Sequence, residues 1–285
     1  MSRILSSSVL LSFTFVLLVG CTSKPNPRVS RIVEKFTDRE DLVTEFAYDS
    51  DARIEKITRT DRGDEKEWEF VWEGSTLVEL NLSFFIEGGT RDEDQYKLTW
   101  EGDRLVQAER TTDGDDTTTT LEYNTDGQLD ELLVEGDGEL RSTFDYDDKG
   151  ALTEITTGDS ALALSRDASR LTQIETDFES VEFAFDDEED RITAYEIDSV
   201  GFTVTGTLDY DSEGRVSGVQ TEIESASGTV DGREVDFAYD DGDAVGLDMT
   251  PKALFPFPHL VDLKGGTPES IDNRLTVPRL VFESF

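Results

Sequence analysis

Any chemistry in this chain would have to be built from very few residue types. Its 285 residues include one histidine, His259, and one cysteine, Cys21. General acid–base catalysis or a histidine-ligated metal would rest on His259 alone. That residue lies between Pro258 and Leu260 in an apolar stretch, the setting of a packed structural histidine. A serine triad would need His259 together with a serine in an exposed elbow, and no G-x-S-x-G sequence occurs. With 65 Asp and Glu residues some carboxylate pair is unavoidable, so their abundance argues for no particular pair of the glycosidase kind. The residue types point away from an enzyme.

Calcium is the cofactor these side chains could hold, because Asp and Asn in Gly-containing loops supply the oxygen ligands it takes. The best linear match is Glu122-Tyr123-Asn124-Thr125-Asp126-Gly127, with Asn124 and Asp126 as acceptors. It lacks the bidentate Glu at loop position 12, where Leu133 stands. Asp113, Asp115 and Asp116, or Asp240, Asp241 and Asp243, could also cluster at one sheet edge. The competing reading of all these acids is a solvated acidic face. Trp68, Trp72 and Trp100 would favour carbohydrate binding if they lined an open groove; their alternation with acids places them in the core instead.

These residues sit in a repeating frame. Nine times an aromatic-acidic pair is followed by a short turn and then an apolar pair three residues apart. Tyr48-Asp49 leads to Ile54 and Ile57, Trp72-Glu73 to Leu77 and Leu80, and Trp100-Glu101 to Leu105 and Ala108. Tyr123-Asn124, Tyr146-Asp147, Phe185-Asp186 and Tyr210-Asp211 open further copies. Ser165-Arg166 is a degenerate copy and Tyr239-Asp240 a truncated last one. The anchors are 19 to 29 residues apart, a spacing at which each unit buries its apolar face by stacking on its neighbours.

Ahead of each anchor, apolar residues alternate with acids, as in Trp68, Phe70 and Trp72 against Glu67 and Glu69. Period two of this kind is a strand with one buried and one wet face. Asp126-Gly127, Lys149-Gly150 and Glu213-Gly214 are hairpin-turn residues. The expected fold is therefore all-β: an antiparallel meander of β-hairpins, 16 to 18 strands over residues 30–248, with no helix of note. Apolar partners three apart would fall on opposite faces of a flat strand. Either a β-bulge restores one face or the first of them still belongs to the turn; the bulge is the preferred reading. A bulge in every unit would curl the sheet into a strongly curved sheet or open barrel. Residues 249–285 carry no net charge and include the apolar run Leu254 to Val261, which reads as a C-terminal cap on the sheet.

Net charge is −39, which excludes nucleic acid as a partner and makes an anionic membrane surface repulsive to this domain. The 17 Phe, 7 Tyr and 3 Trp at regular positions exclude disorder. Acids along the strands also discourage edge-to-edge aggregation.

At the N-terminus, Arg3 precedes an apolar stretch from Ile4 to Val19, short for a spanning helix and suited to an export signal. Leu18-Val19-Gly20-Cys21 resembles the lipobox of bacterial lipoproteins. That resemblance implies a signal peptide over 1–20, acylation at Cys21, and a tether over 21–29. Acyl chains would then hold the protein to a membrane. With Thr22 next, the chain resembles lipoproteins of the outer membrane.

The units Tyr146 to Ile155 (YDDKGALTEI) and Tyr210 to Val219 (YDSEGRVSGV) resemble the YD repeat of rearrangement-hotspot and teneurin-type proteins. The likeness covers roughly residues 40–245 and implies a sheet of stacked hairpins. It carries over no catalytic residue, and the chain is too short for the closed shell of the large members. The expected function is a lipid-anchored, non-catalytic cell-envelope protein that binds or scaffolds a protein or polysaccharide. The alternatives are a Ca²⁺-dependent adhesion or assembly factor and a polysaccharide-processing protein using carboxylates.

Overall fold

The computed structural model describes residues 26–244, less 37–39, 62, 87–89, 103, 112–115, 137, 159, 168–169, 178, 187–190, 226–227 and 229. Eighteen strands fill it: β1 (Asn26–Phe36), β2 (Leu42–Tyr48), β3 (Ile54–Asp61), β4 (Asp64–Glu73), β5 (Thr76–Ile86), β6 (Thr90–Glu101), β7 (Arg104–Thr111), β8 (Thr117–Tyr123) and β9 (Leu129–Glu135). The second half continues with β10 (Glu139–Tyr146), β11 (Leu152–Thr157), β12 (Ser160–Asp167), β13 (Arg170–Thr176), β14 (Glu179–Asp186), β15 (Arg191–Ser199), β16 (Phe202–Tyr210), β17 (Val216–Ser225) and β18 (Val230–Ala244). Each pairs antiparallel with the next, and β18 pairs antiparallel with β1. The meander thus closes into a barrel, which corrects the expectation of an open one.

Every unit carries the expected bulge. Ala47 faces Lys56 but Tyr48 faces Ile54, so Glu55 is left out of the ladder and Ile54 and Ile57 share one face. The same step recurs at Val71/Trp72, Thr99/Trp100, Glu122/Tyr123, Asp145/Tyr146, Ala184/Phe185 and Asp209/Tyr210. In the degenerate unit the step falls at Ser165/Arg166, with Arg166 facing Leu171. Arg166, not Ser165, therefore holds the anchor position.

Closure comes from the two ends of the chain. Tyr239 faces Val29, and Ala238 faces Arg31, with Ser30 skipped. Phe237 then faces Ile32, so Val29 and Ile32 are the apolar pair that the last unit lacks in sequence. The truncated copy is a complete unit assembled from β18 and β1. Asn26 and Pro27, read as tether, are the first residues of β1 and face Ala244 and Asp243. Proline is admissible there because the register shifts between Pro27 and Arg28.

Which face points inward follows from burial. Val29, Ile54, Ile57, Leu77, Leu80, Leu152, Ile197 and Val204 are 0 % exposed and belong to one continuous apolar cluster. A barrel's convex face cannot pack on itself, so these side chains point in. Eighteen strands of circular section leave a water channel in porins; the full burial here makes the inner face a packed core. The alternate residues, among them Glu45, Glu69, Lys97, Glu122, Arg141, Glu175, Glu196 and Glu222, are exposed on the outer wall.

Candidate functional site

The anchor turns all lie at one end of the barrel, here called the anchor rim. In the turn after Tyr146, the Asp147 carboxylate accepts from the backbone N–H groups of Lys149 and Ala151, both at 2.8 Å. Asp147 N–H in turn donates to the Ala151 carbonyl. Asp49 and Asp211 hold their turns in the same way, each adding an ion pair to the arginine four residues on, Arg53 or Arg215. The hydrogen bonds from Ala151 and Lys149 hold the Asp147 carboxyl below the usual carboxylate range. For Asp49, burial pushes the carboxyl up, but the Arg53 side chain and the local backbone N–H groups outweigh it and leave the value lowered. Asp211 behaves alike with Arg215. Gly127, Gly150 and Gly214 take positive φ in these turns, with Ala52 in the same place at 67°.

The anchors tie each unit to the one before. Beyond the bulge the ladder between successive units stops short of the rim: β3 and β4 pair only from Lys56/Glu69 onward. The carbonyl of Ile54 is thereby left to the next anchor, and Trp72 Nε1 donates to it at 2.7 Å. Trp100 serves Leu77, Tyr123 serves Leu105, Tyr146 serves Leu129 and Tyr239 serves Val216, at 2.7 to 2.8 Å. Tyr210 serves Ile192, and the Arg166 guanidinium replaces a tyrosine hydroxyl on Leu152 at 3.3 Å. Tyr48 donates to Val29 at 2.9 Å, which carries the belt across the closing seam. Only Phe185, the anchor whose counterpart in the preceding unit is Leu171, has no polar tip to offer. Arg170 lies over its ring at 5.4 Å, as Arg53, Arg104 and Arg215 lie over Trp72, Tyr123 and Tyr239.

Toward the opposite, far rim the inner wall becomes polar. The buried polar residues Thr44, Arg59, Lys66, Thr119, Ser142 and Thr221 all share the inward face with the apolar cluster. Arg59 pairs with Glu34 at 3.1 Å and Arg110 with Asp94 at 2.6 Å. Lys66 Nζ lies 4.8 Å from the Phe84 ring centre. Ser142 and Thr157 hydroxyls meet at 2.7 Å. Sequence reasoning did not single out these residues, although Lys66 lies on the same parity as Trp68, Phe70 and Trp72.

The residues singled out from sequence are scattered. Trp68 is 1 % exposed on the inner wall, and Trp72 and Trp100 are half-buried tethers, so none of the three forms an open aromatic groove. Asn124 Oδ1 accepts from the N–H groups of Asp126 and Gln128, committing it to its turn, and Asp126 is exposed. Asp240 is exposed at the end of β18, and Asp243 faces Pro27 in register. Cys21, Asp113, Asp115, His259 and the proposed cap of residues 249–285 lie outside the described residues. Among the described residues no group of three or more His, Cys, Asp or Glu is arranged to hold a metal ion.

No family model and no curated protein matches the chain. Among solved structures it is similar to a porin-like protein from Bacteroides uniformis, at 17% identity and a TM-score of 0.43, over 76% of this chain and 100% of that one. A porin-like protein from Bacteroides vulgatus is similar at 10% identity and a TM-score of 0.32, again over 76% and 100%. TcdB2-TccC3 without its hypervariable C-terminal region is similar at 13% identity and a TM-score of 0.34, over 72% of this chain but 14% of that one. At these scores, the reading of this chain rests on its own residues.

Proposed function

We propose that this chain is a lipid-anchored cell-envelope protein whose barrel is a water-immersed body that binds or scaffolds a protein or polysaccharide, without catalysing a reaction. The observation that carries this reading is the orientation of the barrel wall. A barrel that spans a bilayer presents an apolar band outward and a polar lumen inward. Here the outward residues are Glu45, Glu69, Glu122, Glu196 and their like, and the apolar ones face in. The wall therefore belongs in water, and attachment falls to lipid at Cys21.

Geometry supports that attachment point. β1 starts at Asn26 on the anchor rim, five residues after Cys21. Five extended residues span at most about 17 Å, so an acyl anchor would hold the anchor rim near the bilayer and turn the far rim outward. An acid–base role finds no support in the carboxyls of Asp49, Asp147 and Asp211. All three are lowered, the direction of a turn cap and not of a proton donor.

The test is fractionation of cells producing the full chain or its Cys21→Ala variant. The wild type is expected in the membrane pellet and the variant in the soluble fraction with an unchanged melting temperature. A folded variant that stays in the membrane would mean that the barrel itself binds lipid, and would overturn the reading.

A further inference from the structure

The two halves of the barrel wall differ in how charge faces charge across the strands. From β18 through β7, cations on the outer wall stand opposite acids. Lys35 faces Glu234 and pairs with it at 2.9 Å, and Arg31 faces Glu45. Lys56 faces Glu69, and Lys97 on β6 faces Glu79 on one side and Glu109 on the other.

From β8 onward the opposed residues are alike. Glu122 faces Glu131 between β8 and β9, Glu135 faces Glu139 between β9 and β10, and Asp145 faces Glu154 between β10 and β11. Glu182 and Glu196 repeat the arrangement between β14 and β15. Six of these eight acids are exposed, and Glu131 and Glu154 are half-buried. Strands β8 to β11 contain seven acids and one base, Arg141. Arg141 reaches Glu131 at 3.0 Å, which relieves one of the three successive pairs and leaves two.

Side chains directly opposed on one face start about 5 Å apart, and like charges there push the strands apart. That repulsion is felt in full at 0.01 M salt, where the screening length is about 30 Å. It is nearly gone at 1 M, where the length is about 3 Å. The net charge of −39 strains all strands together; the opposed acids single out β8 to β11.

We propose that the barrel is switched by ionic strength. In dilute salt it opens locally along β8 to β11, while the part from β18 through β7 stays closed; concentrated salt closes it. The weakest joint of the wall is therefore not the β1–β18 seam, and it answers to dissolved cations whether or not the chain is acylated.

Amide exchange of the purified full chain in 0.01 M and 1 M NaCl tests this. In the dilute salt, amides of β9 and β10 should lose about tenfold more protection than those of β5 and β6. A triple variant, Glu122→Lys with Glu139→Lys and Glu154→Lys, puts a cation opposite each remaining acid and should abolish that difference. Glu65→Lys with Glu175→Lys and Glu222→Lys gives the same net charge but alters acids that face Thr60, Ser180 and Thr205, and should keep it. Equal loss in both regions of the wild type, or no loss in either, would overturn the proposal. So would a difference that survives in the folded first variant, or one that the second variant removes as fully as the first.

Discussion

The residue that recurs with the most fixed role is the acid after each anchor. Its side chain replaces backbone partners that a tight turn cannot supply, and Asn124 does the same work without a charge. This gives the turn a predictable pH dependence. The Asp147 carboxyl is lowered in the folded protein, so its stabilisation is present above the unfolded value near 3.9 and is lost as pH falls through the folded one. Asp147→Asn should therefore melt close to the wild type at neutral pH and lose less stability between neutrality and pH 3 than the wild type does. Melting curves of the two across that range check it; parallel losses would show that the carboxylate contributes nothing in its charged form. At this scale the sequence was informative where chemistry is local. The turn role of Asn124 and the core placement of Trp68 follow from spacing and parity. Which carboxylates oppose one another, as Glu122 and Glu131 do, does not, because it depends on the register between strands.

Hairpins are joined by two devices, a bulge inside each unit and a side-chain tether between units. The first was legible: apolar partners three residues apart demand a skipped residue, and Glu55, Thr153 and Ser217 are among those skipped. The second was hidden, because a carbonyl left over by the bulge cannot be seen in a pattern of apolar residues. The same blindness put the degenerate anchor at Ser165, where an aromatic was sought, although Arg166 makes the tether. Between β13 and β14 the tether is missing for want of a hydroxyl on Phe185, and the described register of that seam is Gln173/Glu182, Ile174/Val181 and Glu175/Ser180. Phe185→Tyr supplies the donor with the ring and its Arg170 contact retained. It should raise stability by about 1 kcal/mol and slow amide exchange at Ile174 and Val181 in particular. Destabilisation, or slower exchange spread evenly over the barrel, would mean that the Leu171 carbonyl is already satisfied.

Taken whole, the molecule is a ring of nine like units in which the ninth is made from both ends of the chain. Repeats stacked in a row leave two exposed edges, which invite pairing with other chains; pairing β1 with β18 removes both. This was the largest feature that the sequence concealed. Val29 and Tyr239 belong to one unit but stand 210 residues apart in the sequence, and Pro25 and Pro27 gave the start of β1 the look of a linker. Closure also fixes the charge distribution, since a closed wall has an inside: apolar residues and a few ion pairs such as Arg59–Glu34 and Arg110–Asp94 lie there, and acids such as Glu45, Glu69 and Glu122 lie on the outer surface in water. The measurement that bears most directly on this is amide hydrogen exchange along β1. With β2 on one side and β18 on the other, the amides of Ile32 and Val33 should be protected as strongly as those of central strands such as β5, opening only with global unfolding. Exchange of β1 at the rate of a frayed terminal strand, with β2 and β18 also fast, would contradict the closed barrel.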